Sequence, residues 1–138
     1  MASFVYDYGE KQLGSWEDGD THKAMLLRSA YTPVKSSHYV SDIVADEAQS
    51  AGYARVVIDN QVRTVNTSSH MNEYSCDEIE FLAMDAGEDL RGMVIYKFDT
   101  DDTSSILLFW EEFPSPYTTT GLSLRVQEGT LGYAQGVH

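Results

Sequence analysis

The chain has 138 residues, 42% of them hydrophobic, and carries 22 acidic side chains against 9 lysines and arginines for a net charge of −13. This length suits one domain with a real core, and the composition is that of an ordinary globular chain rather than a disordered one. The charge argues against nucleic-acid binding, which needs cations to displace counterions from phosphates, and it disfavours anionic membrane surfaces.

Other bulk features narrow the class further. No apolar run approaches the roughly 20 residues of a membrane span. The N-terminal stretch MASFVYDYGEKQ lacks the basic and apolar regions of a signal peptide, so synthesis and retention in the cytoplasm are expected. A single cysteine, Cys76, leaves no intrachain disulfide.

Residues 1–20 read as an N-terminal arm or a short helix. Phe4, Val5, Tyr8 and Leu13 share one helical stripe, whereas Tyr6, Tyr8 and Trp16 equally suit an extended arm. Glu17–Asp20 is a turn. Lys23–Arg28 reads as a strand that stops before Pro33, which pushes Thr32 extended and removes a donor. Ser36 and Ser37 are suitable N-caps, and Tyr39, Val40, Ile43 and Val44 follow at helical spacing. The expectation is one amphipathic helix of about three turns, ended by Ala51 and Gly52.

From Gly52 the period changes to that of strands. Tyr53–Ile58 and Gln61–Val65 flank an Asp59-Asn60 turn, and residues 66–76 form a polar loop. In Asp77–Ala83, Ile79 and Phe81 alternate against Glu78 and Glu80. After a turn at Asp85–Asp89 come two apolar runs, Met93–Tyr96 and Ile106–Trp110. They read as strands buried on both faces and joined by the polar turn Asp99–Ser105. Periodicity alone also permits a helix through Ile106–Trp110, but sharp polar boundaries and aromatic content favour strand. Phe113–Tyr117 and Thr118–Thr120 form a loop. Gly121–Val126 alternates with Leu122, Leu124 and Val126 inward, and a turn at Glu128-Gly129 leads to a last segment, Thr130–Tyr133. The expected fold is mainly β: an antiparallel β-sandwich or barrel-like domain with one short amphipathic helix. It forms a single domain over 1–138, with an arm at 1–20, a β-domain at 21–134 and a tail at 135–138.

The candidate chemistry thins out on inspection. Asp99–Asp102 resembles a calcium loop, but Ser104 stands where the turn glycine belongs and Trp110 where the bidentate glutamate belongs. His22, His38, His70 and His138 share no metal-ligand spacing with one another or with Cys76. Glu111 and Glu112 are neighbours on a strand and so face opposite ways, which does not suit an acid–base pair. No catalytic signature, metal site or cofactor motif emerges, and an enzyme is not expected. The residues offered for binding are instead the peripheral aromatics and prolines: Phe4, Tyr6, Tyr8, Trp16, Phe113, Pro114, Pro116 and Tyr117. Such side chains anchor interfaces, although capping the ends of the core is an equal use for them.

The order of motifs carries a resemblance. Lys23–Pro33 (KAMLLRSAYTP), His38–Ile43 (HYVSDI), Gly52-Tyr53, Asp77–Phe81, Gly92–Lys97 (GMVIYK), Leu107–Phe113 and Gly121–Leu124 follow one another across most of the chain. This set resembles a widespread family of small tailed-phage virion proteins encoded among head genes. The segment 59–76 departs from the family pattern, being more polar, with an insertion-like Thr67–Tyr74. The resemblance implies a capsid decoration or other accessory virion protein without catalysis, bound to the major capsid protein, with self-association as a trimer or other homo-oligomer. The net charge of −13, which repels packaged DNA, puts the expected position on the outer face of the head. It implies no active-site residues. A neck, connector or tail-associated virion protein is the alternative within that resemblance, and a host-glycan binding module using Trp16 and Tyr117 lies outside it.

Overall fold

A computed structural model describes residues 4–9, 21–58, 62–68, 71–75, 78–126 and 131–134. Trp16, His70, Cys76 and His138 lie outside the described residues, as do the turns expected at Glu17–Asp20, Asp59-Asn60 and Glu128-Gly129 and the tail 135–138.

The protein is mainly β and its strands pair antiparallel. In chain order they are β1 (Phe4–Val5), β2 (His22–Arg28), β3 (Val56–Val57), β4 (Val62–Asn66), β5 (Met71–Ser75), β6 (Ile79–Phe81), β7 (Asp89–Lys97), β8 (Ile106–Thr118), β9 (Leu124–Val126) and β10 (Leu131–Ala134). The main sheet has the order β1-β8-β7-β2-β3. A second sheet runs β10-β5-β4, and β6 pairs with β9. The main sheet ends on two-residue strands, β1 and β3, which pair with Phe109-Trp110 of β8 and Lys23-Ala24 of β2.

The β7–β8 hairpin forms the middle of the main sheet, and the apolar runs Met93–Tyr96 of β7 and Leu107–Trp110 of β8 are buried on both faces, as their continuous apolar character predicts. Ala24, Leu26, Met93, Ile95 and Phe109 face Ile79, Phe81 and the half-buried Leu124 and Val126, so the β6–β9 pair lies on the main sheet as the second layer of a sandwich. Met25, Leu27, Val94, Tyr96, Leu107 and Trp110 face the other way. Tyr6 and Tyr31, Val40 and Ile43 of the 29–48 connection cover them. Burying each of the Leu, Ile, Val, Met and Phe side chains among these contributes about 1.5–3 kcal/mol, so both faces are needed.

The structure corrects four expectations. The helix over 36–51 is replaced by two 3₁₀ turns, Val40–Asp42 and Val44–Asp46, while the described helical residues are 7–9. Asp42 accounts for much of this. Its Oδ2 accepts the backbone N–H of Tyr39 at 2.9 Å and of His38 at 3.1 Å, bonds that close a tight local turn. The polar stretch 66–76 contains a strand, β5, paired with β4 from Val62↔Ser75 to Asn66↔Met71. Phe113–Tyr117 is no loop but the continuation of β8. Leu122 points outward and is 70% exposed, because the β9 ladder begins only at Leu124.

Candidate functional site

The distinctive feature of the main sheet is a local break in both ladders of β7. Leu27 pairs with Gly92 and Arg28 with Leu90, so Arg91 is an extra residue against β2. On the other side Gly92 opposes Glu112 and Leu90 opposes Tyr117. Residues 113–116 therefore face Arg91 alone and bulge out of the sheet. The sequence dictates the bulge: Pro114 and Pro116 have no N–H to give a ladder, and prolines in strands are confined to edges and bulges.

Arg91 holds the base of this bulge. Its Nη1 donates to the carbonyl of Tyr31 at 2.8 Å, and its Nε lies 3.3 Å from Glu112 Oε1. The indole Nε1 of Trp110 donates to the same carboxylate oxygen at 3.4 Å. Glu112 thus shares its face with Trp110, whereas Glu111 lies opposite Met93, whose side chain belongs to the other face. The two carboxylates are split by the strand, as alternation requires.

Phe113 and Tyr117 are half-buried and pack on the core, while Pro114, Ser115 and Pro116 between them are exposed. The bulge separates two open grooves. One, of about 410 Å³, runs past Phe113 and Tyr117 to Leu124 and Val126 of β9. The other, of about 290 Å³, lies between Pro116, Ser29 and Arg91. Four of the expected binding residues, Phe113, Pro114, Pro116 and Tyr117, are thereby brought to one place.

The N-terminal candidates fare differently. Tyr6 is fully buried and its hydroxyl meets that of Tyr31 at 2.8 Å, so it is a core residue and not a surface anchor. Burial pushes its hydroxyl well above the usual tyrosine range. Phe4 opposes Trp110 in the ladder and packs edge-on against the Tyr6 ring at 5.0 Å. Tyr8 is 49% exposed, but its ring stacks on His38 at 3.7 Å, and His38 stacks in turn on Tyr39 at 3.8 Å. Residues 4–8 are therefore latched along the sheet rather than extended from it. Trp16 lies outside the described residues.

One cluster that sequence reasoning missed is electrostatic. Arg55 makes bidentate contact with Glu47 at 2.7 and 2.8 Å and with Asp102 at 2.6 and 3.0 Å. Tyr53 donates to Glu47 at 2.6 Å and accepts the N–H of Leu26 at 3.1 Å. The network ties the end of the 3₁₀ segment, the approach to β3 and the β7–β8 turn to the sheet. The hydrogen bonds to Glu47 and then to Asp102 hold the Arg55 guanidinium even more firmly protonated than usual. The remaining polar residues of that turn also serve the fold: Asp101 accepts from Thr103 Oγ1 at 2.6 Å, and Ser105 Oγ bridges Asp99 N–H and the Asp101 carbonyl. No pattern in the sequence joins residues 47, 55 and 102, since their meeting depends on the sheet order. A cue for the bulge was present, two prolines spaced two apart at the end of a strand.

Compared with protein families, with curated proteins and with solved structures, the chain matches none.

Proposed function

We propose that the protein is a non-catalytic structural component of a tailed-phage virion: a decoration protein that binds the major capsid protein on the outer face of the head and stabilises the shell. The observation that carries this reading is the bulged end of β8, where prolines and aromatics are displayed beside open grooves on a rigid sheet. Meanwhile Glu112, Arg55, Glu47, Asp102 and Asp101 are bound into contacts that hold the fold. A binding surface on a rigid scaffold suits a shell component. The ordered motifs from Lys23 to Leu124 supply the virion context. The net charge of −13 favours the outer face, away from packaged DNA. Self-association around a symmetry axis belongs to the same reading.

Such a protein stabilises by linkage, because it binds the assembled shell and not its dissociated subunits. Deleting its gene and challenging particles with heat and osmotic shock tests the reading. The expected result is a protein present in purified wild-type particles and heads that rupture at lower temperature without it. Absence from purified particles, with resistance unchanged, would overturn it. A copy number matching a neck ring rather than the shell would move the protein to the connector.

A further inference from the structure

The larger groove has a chemistry that selects an occupant. Its floor is apolar, built from the half-buried Phe113, Tyr117, Leu124 and Val126, and Glu111 stands along it on the same face. Two of its charged groups already hold other partners. Arg125 Nε lies 2.9 Å from Glu80 Oε2 and 3.9 Å from Glu78, and Glu112 takes Arg91 and Trp110. A polar ligand would have to compete with these bonds for Arg125 and Glu112, whereas an apolar side chain needs only the floor. Strand addition is also disfavoured, because Pro114 and Pro116 offer no N–H to an incoming backbone. The charge of the whole chain, −13, attracts a cationic partner at long range and repels an acidic one.

We infer that this groove docks an exposed segment of a partner protein that carries a bulky apolar side chain flanked by lysine or arginine. The apolar side chain lies on Phe113 and Tyr117, and the flanking cations meet the acidic surface. The inference rests on the virion reading only for the partner's identity, a shell subunit; the chemistry of the groove stands apart from it.

The test uses the full chain, isotope-labelled for NMR, and two synthetic peptides. One has a central Phe-Leu pair flanked by lysines, and the other has the same pair flanked by glutamates. The lysine peptide is expected to shift backbone resonances of residues 111–117 and 124–126, to bind at least tenfold more tightly than the glutamate peptide, and to weaken as salt is raised. Ser115→Lys places a cation on the exposed bulge without touching the core, and it is expected to weaken the lysine peptide at least fivefold. Tyr117→Ser removes part of the floor and is expected to weaken both peptides, with the spectrum reporting whether the fold is kept. Shifts elsewhere on the protein, equal binding of both peptides, or no binding would overturn the inference. Concentration-dependent shifts at the same residues without peptide would assign the groove to a second copy and overturn it too. Peptide binding as expected, by a protein absent from virions, would uphold the groove and remove the virion reading.

Discussion

The hydroxyl of Tyr6 lies 2.8 Å from the hydroxyl of Tyr31, beneath the face of the main sheet that carries Trp110. This bond fastens the N-terminal arm to the long connection after β2. The ring of Tyr31 meets Trp110 edge-on at 5.1 Å, so the arm, the connection and β8 share one buried contact. Tyr6→Phe is expected to cost about 1 kcal/mol, the net value of one buried hydrogen bond. Tyr6→Ala also leaves a cavity and is expected to cost about 3–5 kcal/mol. Urea unfolding of the two variants, with a double-mutant cycle through Tyr31→Phe, checks both values. A coupling near zero between positions 6 and 31 would contradict the assignment.

Arg55 is the hub of the network on the opposite side of the connection. Arg55→Ala leaves Glu47 and Asp102 facing each other and is expected to cost about 2 kcal/mol, since the cluster is only partly shielded from water. Arg55→Lys keeps the charge but loses the fork that reaches both carboxylates, and should recover less than half of that loss. Chemical denaturation measures the totals. Faster amide exchange at 47–55 and 99–105, with the β6–β9 pair unaffected, is the local signature; uniform loss of protection would count against the hub.

Gly92 is fixed by space rather than by conformation. A Cβ there would come within 2.5 Å of Trp110 Cη2, inside the two-face-buried centre of the sheet. Gly92→Ala must push the indole or the strand aside and is expected to cost about 1–3 kcal/mol. Near-ultraviolet circular dichroism should show a changed Trp110 environment. Thermal stability equal to wild type would mean that the indole is not seated over Gly92.

Burial raises the hydroxyls of Tyr6, Tyr31, Tyr53 and Tyr96 above the ordinary tyrosine range, and the Glu47 carboxylate adds to the effect at Tyr53. In the unfolded chain each ionises near pH ~10. Above that pH the unfolded state binds fewer protons than the folded one, so stability falls as pH rises. The contribution is complete below about pH 10 and is lost progressively above it. Tyrosinate absorbance followed alongside circular dichroism should show these four groups ionising together with loss of structure. Non-cooperative ionisation with the fold intact would contradict their burial.

Much of the main sheet was legible because its cause is local. Met93–Tyr96 and Ile106–Trp110 are short apolar runs between sharp polar turns, too short for a buried helix and rich in β-branched and aromatic side chains, which suits strands covered on both faces. Ile79 and Phe81 alternate with glutamates and turned out buried as read. The 36–51 segment misled because Val40 and Ile43 stand three apart, a spacing that α and 3₁₀ turns both satisfy. The choice fell to Asp42, which bonds back to His38 and Tyr39, and to Glu47, which pairs with Leu27 across an isolated bridge. Strand β5 carries a polar sequence and is defined by its partners β4 and β10, which no local pattern reveals. For the candidate site, the residues of Phe113–Tyr117 were legible as aromatics and prolines, but their placement in a bulge opposite Arg91 depends on the register of three strands. Tyr6 was misjudged for the same reason, since its burial is created by Tyr31, twenty-five positions away in the chain.

The most direct measurement is a reconstruction of the purified virion with this protein's copy number. The account predicts density for the domain on the outer surface of the head, at shell stoichiometry, with the Phe113–Tyr117 bulge turned toward the major capsid protein. Particles that carry no such density, or that hold the protein with the bulge facing solvent, would contradict it.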